Sequence, residues 1–146
     1  MPLSLRMSAP SWFIDVPYGA EEVIKRSYQN MGEAKVVMFL ISRLLRAGEG
    51  LSIGVISPYK SQIRCLESEI EKRDYPKEVQ RRLKVSTVDA FQGQERDVII
   101  VTSVRANTDG KIGFVSCEKR LNVSITRAKY ALFVFGNAST LLAYDR

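Results

Sequence analysis

Short apolar runs and helical stripes alternate along this chain. Trp12-Phe13-Ile14-Asp15-Val16, closed by Pro17, predicts a first strand. Tyr18 to Gln29 is polar and irregular. Asn30 and Glu33 stand at the spacing of a capping box. Behind them Val37, Leu40, Ile41, Leu44 and Leu45 mark the inward face of a helix running to about Ala47. Gly48 ends that helix and Gly50 loosens the turn after it. Ile53-Gly54-Val55-Ile56 is the next strand, and Ser57-Pro58-Tyr59 turns the chain into a second helix. Ile63, Leu66 and Ile70 form its apolar stripe, joined by Cys65, while Lys60, Arg64, Glu67, Glu71 and Lys72 face water. Pro76 opens a short basic segment, Lys77 to Lys84, of one or two helical turns.

Val85 to Arg105 carries two β-rich apolar runs, VSTVDAF and DVIIVTSV, around a polar turn from Gln92 to Asp97. Val98-Ile99-Ile100-Val101 is continuously apolar and β-branched, as a strand buried on both faces must be. Arg105 to Gly113 reads as a loop from its Asn, Asp and Gly content. Ser116 or Cys117 is expected to start a third helix, with Leu121, Ile125 and Ala128 at helical spacing. Tyr130 to Phe135 is a final strand ended by Gly136-Asn137, and Ser139 is placed to cap a terminal helix. Strands alternating with helices imply right-handed crossovers and an α/β domain built on a mainly parallel sheet. A chain of 146 residues suits one such domain, expected over residues 12–146 with residues 1–11 unstructured.

Composition narrows the chemistry. Usage is 45% hydrophobic and 26% charged, which is globular rather than disordered. The 22 Lys and Arg outweigh the 16 Asp and Glu, and the net charge of +6 favours a polyanionic partner without specifying one. There is no histidine, so a histidine base is excluded. Cys65 and Cys117 cannot supply the roughly four Cys or His ligands of a tetrahedral zinc site. Two cysteines and no apolar segment long enough for a leader or a span predict a soluble protein of nucleus or cytoplasm, away from membranes.

In an open parallel sheet, loops at the carboxyl ends of strands gather on one edge, where ligands bind. Ser57–Tyr59, Asp89–Asp97 and Arg105–Arg120 are therefore expected to converge. Gly93 permits close backbone approach, and Gln92, Glu95 and Arg96 put an amide, a carboxylate and a guanidinium in one small volume, a set that suits a sugar and a phosphate. Arg120 and Arg127 lie one heptad apart, either clamping a phosphate or pairing with surface carboxylates. Glu95 is either an exposed turn residue or an acceptor for a ribose hydroxyl. Thr87 and Ser57 could hold phosphate oxygens of a nucleic-acid backbone, or simply suit a strand and a turn. Phe91 fits the core or a stacked base, and Tyr59 stands evenly between the two. No G-x-x-x-x-G-K-[ST] loop occurs; the only Gly-Lys pair, Gly110-Lys111, is followed by Ile112. No Asp-Glu pair follows an apolar strand to hold Mg²⁺. A nucleotide handled here would meet only half of its site.

Three ordered blocks carry a specific likeness: IGVISPYKSQ from Ile53, VSTVDAFQGQERDVIIVTSVRAN from Val85 and IGFVSCEKRLNVSITRAKYALFVFGN from Ile112. Together with the Asn30-x-x-Glu33-Ala34 helix start, they resemble the Upf1-like (DNA2/NAM7-type) helicases of superfamily 1, and in particular their second, RecA-like, C-terminal domain. The resemblance implies a three-layer RecA-like fold without its own phosphate loop. It implies that Ser57, Pro58, Tyr59 and Lys60 form motif IV and that Thr87 opens motif V, with Ser57, Pro58, Tyr59 and Thr87 against single-stranded RNA or DNA. Gln92, Gly93 and Glu95 would face the nucleotide cleft, Glu95 near the ribose. Arg127 would be the arginine finger of motif VI, with Arg120 and Asn122 opening that motif and Arg120 near the nucleotide. ATP and Mg²⁺ would be held mainly by a first RecA-like domain, which this chain lacks along with the family's Gln-Tyr-Arg-Met-His-Pro segment. Two functions follow: the C-terminal motor half of an ATP-dependent helicase, inactive by itself, or a stand-alone non-catalytic module that binds nucleic acid or protein.

Overall fold

The computed structural model describes residues 9–47, 50–91, 94–111 and 127–145. Five parallel strands form the central sheet: β1 (Ser11–Asp15), β4 (Ile53–Ile56), β5 (Leu83–Ser86), β6 (Arg96–Thr102) and β7 (Ala128–Gly136), in the order β1-β7-β6-β4-β5. Between β1 and the first helix lies a separate antiparallel hairpin, β2 (Glu21–Ile24) and β3 (Ser27–Asn30). Among the described residues the helices are α1 (Met31–Ala47), α2 (Lys60–Arg73), α3 (Lys77–Arg82) and α4 (Ala138–Asp145). The α/β class with a mainly parallel sheet is as the sequence predicts.

The apolar pattern explains the layers. Strand β6 sends Val98 and Ile100 to one face and Ile99 and Val101 to the other, so it is buried on both. On one face Val37, Met38 and Ile41 of α1 and Cys65 and Leu66 of α2 pack against Val55, Val98, Ile100 and Phe135. On the other, Val88 and Phe91 cover Ile56, Ile99, Val101 and Leu132. Among the described residues no helix is long and apolar enough to cross a membrane.

Several local expectations need correction. The polar stretch from Tyr18 to Gln29 holds the hairpin; Glu21-Glu22-Val23-Ile24 and Ser27-Tyr28-Gln29-Asn30 lack a buried apolar face to reveal it. The apolar run from Val85 is strand only to Ser86, after which Asp89–Phe91 makes a 3₁₀ turn. Arg96 and Asp97 belong to β6 rather than to the turn before it. Arg127 stands in a turn and Ala128 begins β7, instead of both sitting on a helix; the predicted third helix before them lies outside the described residues. The cap of α4 is Asn137, whose Oδ1 accepts from Thr140 N at 2.9 Å; Ser139 is exposed within the helix.

Candidate nucleotide and nucleic-acid site

Parallel strands give the sheet two distinct rims, and the predicted site residues divide between them. The carboxyl rim carries Ser57–Lys60 after β4, Thr87 after β5 and Ser103–Asn107 after β6. The amino rim carries Gln94 and Glu95 before β6 and Arg127 before β7. Seven residues of β6 separate the rims by about 20 Å at roughly 3.3 Å per residue. The expected convergence of all three loops on one edge is therefore wrong. Strands β5 and β6 run parallel with β4 between them, so the chain from Thr87 to Arg96 must travel from the carboxyl rim to the amino rim. It does so without a long helix. Phe91 drops its ring onto Gly54 of β4, where an added methyl would stand 2.6 Å from Phe91 Cζ. Phe91 is fully buried, which selects the core reading of that residue over base stacking.

On the amino rim, Arg96 N donates to Arg127 O at 3.1 Å, and Arg96 pairs in register with Ala128. The turn and Arg127 thus share one corner. Gln94 is fixed there: its backbone N donates to Phe91 O at 3.1 Å, its Oε1 accepts from Lys84 Nζ at 3.1 Å and its Nε2 donates to Ala90 O at 3.3 Å. The Arg96 guanidinium lies 5.8 Å from the centre of the Phe91 ring. Glu95 is exposed, and its carboxylate has no hydrogen bond or ion pair among the described residues. Arg127 is half-buried, and its Nε is buried without a hydrogen-bond partner. The Arg96 Nε at the same corner is likewise buried without a hydrogen-bond partner, and buried donors left unpaired cost free energy. Gln92, Gly93 and Arg120 lie outside the described residues.

On the carboxyl rim, Ser57 is fully buried and its Oγ accepts from Tyr59 N at 3.3 Å. Thr87 Oγ1 accepts from Ala90 N at 3.2 Å and so starts the 3₁₀ turn. Both hydroxyls hold their own backbone, which is the turn-forming role open to Ser and Thr. Pro58 and Tyr59 are half-buried. Tyr28 and Tyr59 meet edge to face with ring centres 5.2 Å apart. The Arg105 guanidinium lies 3.9 Å over the Tyr28 ring, donates to Tyr59 Oη at 3.4 Å and pairs with Glu21 Oε1 at 3.3 Å.

A buried polar network beneath this rim was legible only in part. Asn30 Oδ1 accepts from Glu33 N at 2.9 Å, which is the predicted cap. The reciprocal half of the capping box is absent. Asn30 N instead donates to Gln62 Oε1 at 2.9 Å, and Asn30 Nδ2 donates to Val104 O at 3.0 Å. Glu33 turns inward, where its Oε1 accepts from Thr102 Oγ1 at 2.5 Å and from Val104 N at 2.9 Å. Its Oε2 is buried without a partner. Burial pushes the Glu33 carboxyl up to about 7, against the pull of the bonds from Thr102 and the backbone. Gln62 Nε2 donates to Thr102 Oγ1 at 3.1 Å and closes the network. Val104, with φ 72°, sits in the left-handed region that a β-branched residue avoids. The network holds it there, and with it the Arg105 that follows.

Among the described residues no group of three or more acidic, His or Cys side chains could hold a metal ion.

Comparisons with known proteins follow the same lines. A family model described as an AAA domain matches residues 3–139. The chain is 42% identical over 139 residues to the probable helicase senataxin of Homo sapiens, covering 91% of this chain and 5% of that protein. It is 41% identical over 131 residues to regulator of nonsense transcripts 1 of Caenorhabditis elegans, covering 87% of this chain and 12% of that protein. It is 40% identical over 128 residues to the ATP-dependent helicase NAM7 of Saccharomyces cerevisiae, covering 85% and 13%. The chain therefore spans only a small part of the relatives it matches. Among solved structures, the C-terminal domain of a possible DNA helicase from Lactobacillus plantarum shares the fold with a TM-score of 0.59 at 12% identity, over 94% of this chain and 83% of that one. The chain belongs to the AAA domain family and, within it, to the Upf1-like helicases of superfamily 1.

Proposed function

We propose that this chain is the C-terminal motor half of an ATP-dependent RNA or DNA helicase. The observation that carries the reading is the corner on the amino rim. There Arg127 accepts a backbone hydrogen bond from Arg96, the first residue of β6, next to Glu95, whose exposed carboxylate has no partner among the described residues. The corner fits the open side of a bound nucleotide: a guanidinium for the terminal phosphate and a carboxylate for the ribose hydroxyls. ATP supplies the cleavable phosphoanhydride. Mg²⁺ and the remaining phosphate contacts would come from a first RecA-like domain, as the resemblance to the two-domain helicases implies. Arg127 would complete the site when the two domains close, stabilising charge on the transferring phosphoryl group. Gln92, Gly93 and Arg120 would line the same cleft.

The carboxyl rim would form part of the single-strand track through Ser57, Pro58, Tyr59 and Thr87. Because the Ser57 and Thr87 hydroxyls already serve their own turns, backbone N–H groups and the exposed parts of Pro58 and Tyr59 would make most of the contacts there. The test is Arg127→Ala in a protein that contains both domains. ATPase should fall by roughly 10³-fold or more, as removal of an arginine finger does, while single-strand binding persists. Retained ATPase would refute the assignment.

A further inference from the structure

We infer that the tip of the β2–β3 hairpin, Lys25-Arg26, is a phosphate clamp that extends the single-strand track beyond the rim loops. This rests on the nucleic-acid reading of the carboxyl rim and adds a site to it. A groove of about 490 Å³ opens between the hairpin tip and the start of α2. Lys25, Arg26, Lys60 and Arg64 line it with Tyr28 and Tyr59, and no carboxylate does. All four cations are exposed, and neither Lys25 nor Arg26 has an acidic partner among the described residues.

The backbone at the tip points the same way. Ile24 pairs with Ser27, so Lys25 and Arg26 are the two central residues of a two-residue turn. Their φ values are 49° and 65°. A turn with both central residues left-handed favours Asn-Gly, because a Cβ in that region clashes with its own backbone. Here two long cationic side chains occupy both positions. Strain held at an exposed tip is a mark of function when the surroundings fix it. They do: Ser61 N donates to Ser27 Oγ at 3.2 Å, and Ser61 Oγ donates to Ile24 O at 2.8 Å. Arg105 holds the Tyr28 ring from the other side. The hairpin is thus clipped onto α2, and the four cations face one groove before any ligand arrives. A hairpin held in advance, presenting cations along a groove with aromatic walls, suits the phosphates of a flexible single strand.

The test replaces the tip with the residues its geometry prefers, Lys25→Asn with Arg26→Gly, which removes two charges without disturbing the turn. Binding of a single-stranded uridine 12-mer is followed by fluorescence anisotropy from 50 to 200 mM KCl, and folding by thermal melts. The variant should melt at or above the temperature of the unaltered chain. Its affinity should fall several-fold, and its salt slope should flatten by about 1.4, at roughly 0.7 for each phosphate no longer neutralised. Lys77→Asn with Arg81→Asn on α3 removes the same charge at the other rim and should flatten the slope much less. Unchanged affinity and slope in the tip variant would overturn this inference alone. Equal losses in the two variants would overturn it too, reducing the effect to net charge. Failure of the unaltered chain to bind the 12-mer would overturn both this site and the track it extends.

Discussion

Glu33→Gln should leave stability nearly unchanged at pH 5 and raise it at pH 8. The Glu33 carboxyl titrates at about 7 in the folded chain because it is fully buried with one oxygen unpartnered. Its ordinary value is 4.5. The folded state therefore holds a proton that the unfolded chain releases between those two values, and stability contributed by this group is full below pH 4.5 and falls as pH rises through 7. At about 1.4 kcal/mol per pH unit, the gap is worth about 3.5 kcal/mol. Glutamine mimics the protonated acid: its oxygen can keep the bonds from Thr102 Oγ1 and Val104 N, and its amide takes the place of the unpartnered oxygen. The variant escapes the cost of burying a charge. For a chain of this length the gain at pH 8 corresponds to a rise of about 7–14 °C in Tm, at roughly 2–4 °C per kcal/mol. Urea unfolding of both proteins at pH 5, 6.5 and 8 measures the difference directly, and other carboxylates cancel because they are common to both. A difference between variant and wild type that does not change with pH would refute the reasoning.

Two further substitutions test the packing that sets the rims. Gly54→Ala places a methyl 2.6 Å from Phe91 Cζ and 3.0 Å from Arg96 Cγ, so thermal unfolding should show a loss of roughly 1–3 kcal/mol. Asn30→Ala removes the α1 cap and the donor to Val104 O, and denaturant titration should show a loss of about 2 kcal/mol.

The parallel sheet was legible because β4 and β6 are short β-branched runs bounded by polar turns, a pattern that a strand covered on both faces requires. The family was legible from long literal blocks. The hairpin was not, since its strands lack a face in the core and its turn uses Lys-Arg where a turn signal would be Asn-Gly. The capping box was half right: spacing along the chain identifies Asn30 as a cap but cannot tell that Glu33 points toward Thr102 and Val104, some 70 residues away in sequence. Strand order misled the site. The apolar run to Phe91 predicts strand, whereas β5 and β6 run parallel, which makes that segment a crossover from rim to rim. Thr87 and Glu95 consequently lie on opposite rims of the sheet.

That separation bears on how a nucleotide could control a single strand. Strand β6 runs from one rim to the other: Arg96 joins Arg127 at one end, while Thr102 and Val104 enter the Glu33 network at the other. A strand packed on both faces moves as a body, since interiors at crystal-like density deform little. Thr102 Oγ1 is the contact through which β6 grips both α1, by donating to Glu33, and α2, by accepting from Gln62. Thr102→Val keeps the shape and removes both bonds. In a protein with both domains, single-strand affinity measured with and without a non-hydrolysable ATP analogue gives a coupling factor, typically about 5–150-fold in linked sites. Thermodynamic reciprocity requires the strand to change analogue affinity by the same factor. The variant should bind each ligand alone as before and lose roughly 2-fold or more of the coupling. An unaltered coupling factor would show that the signal bypasses this contact, and the rigid strand would then be a scaffold rather than a transmitter.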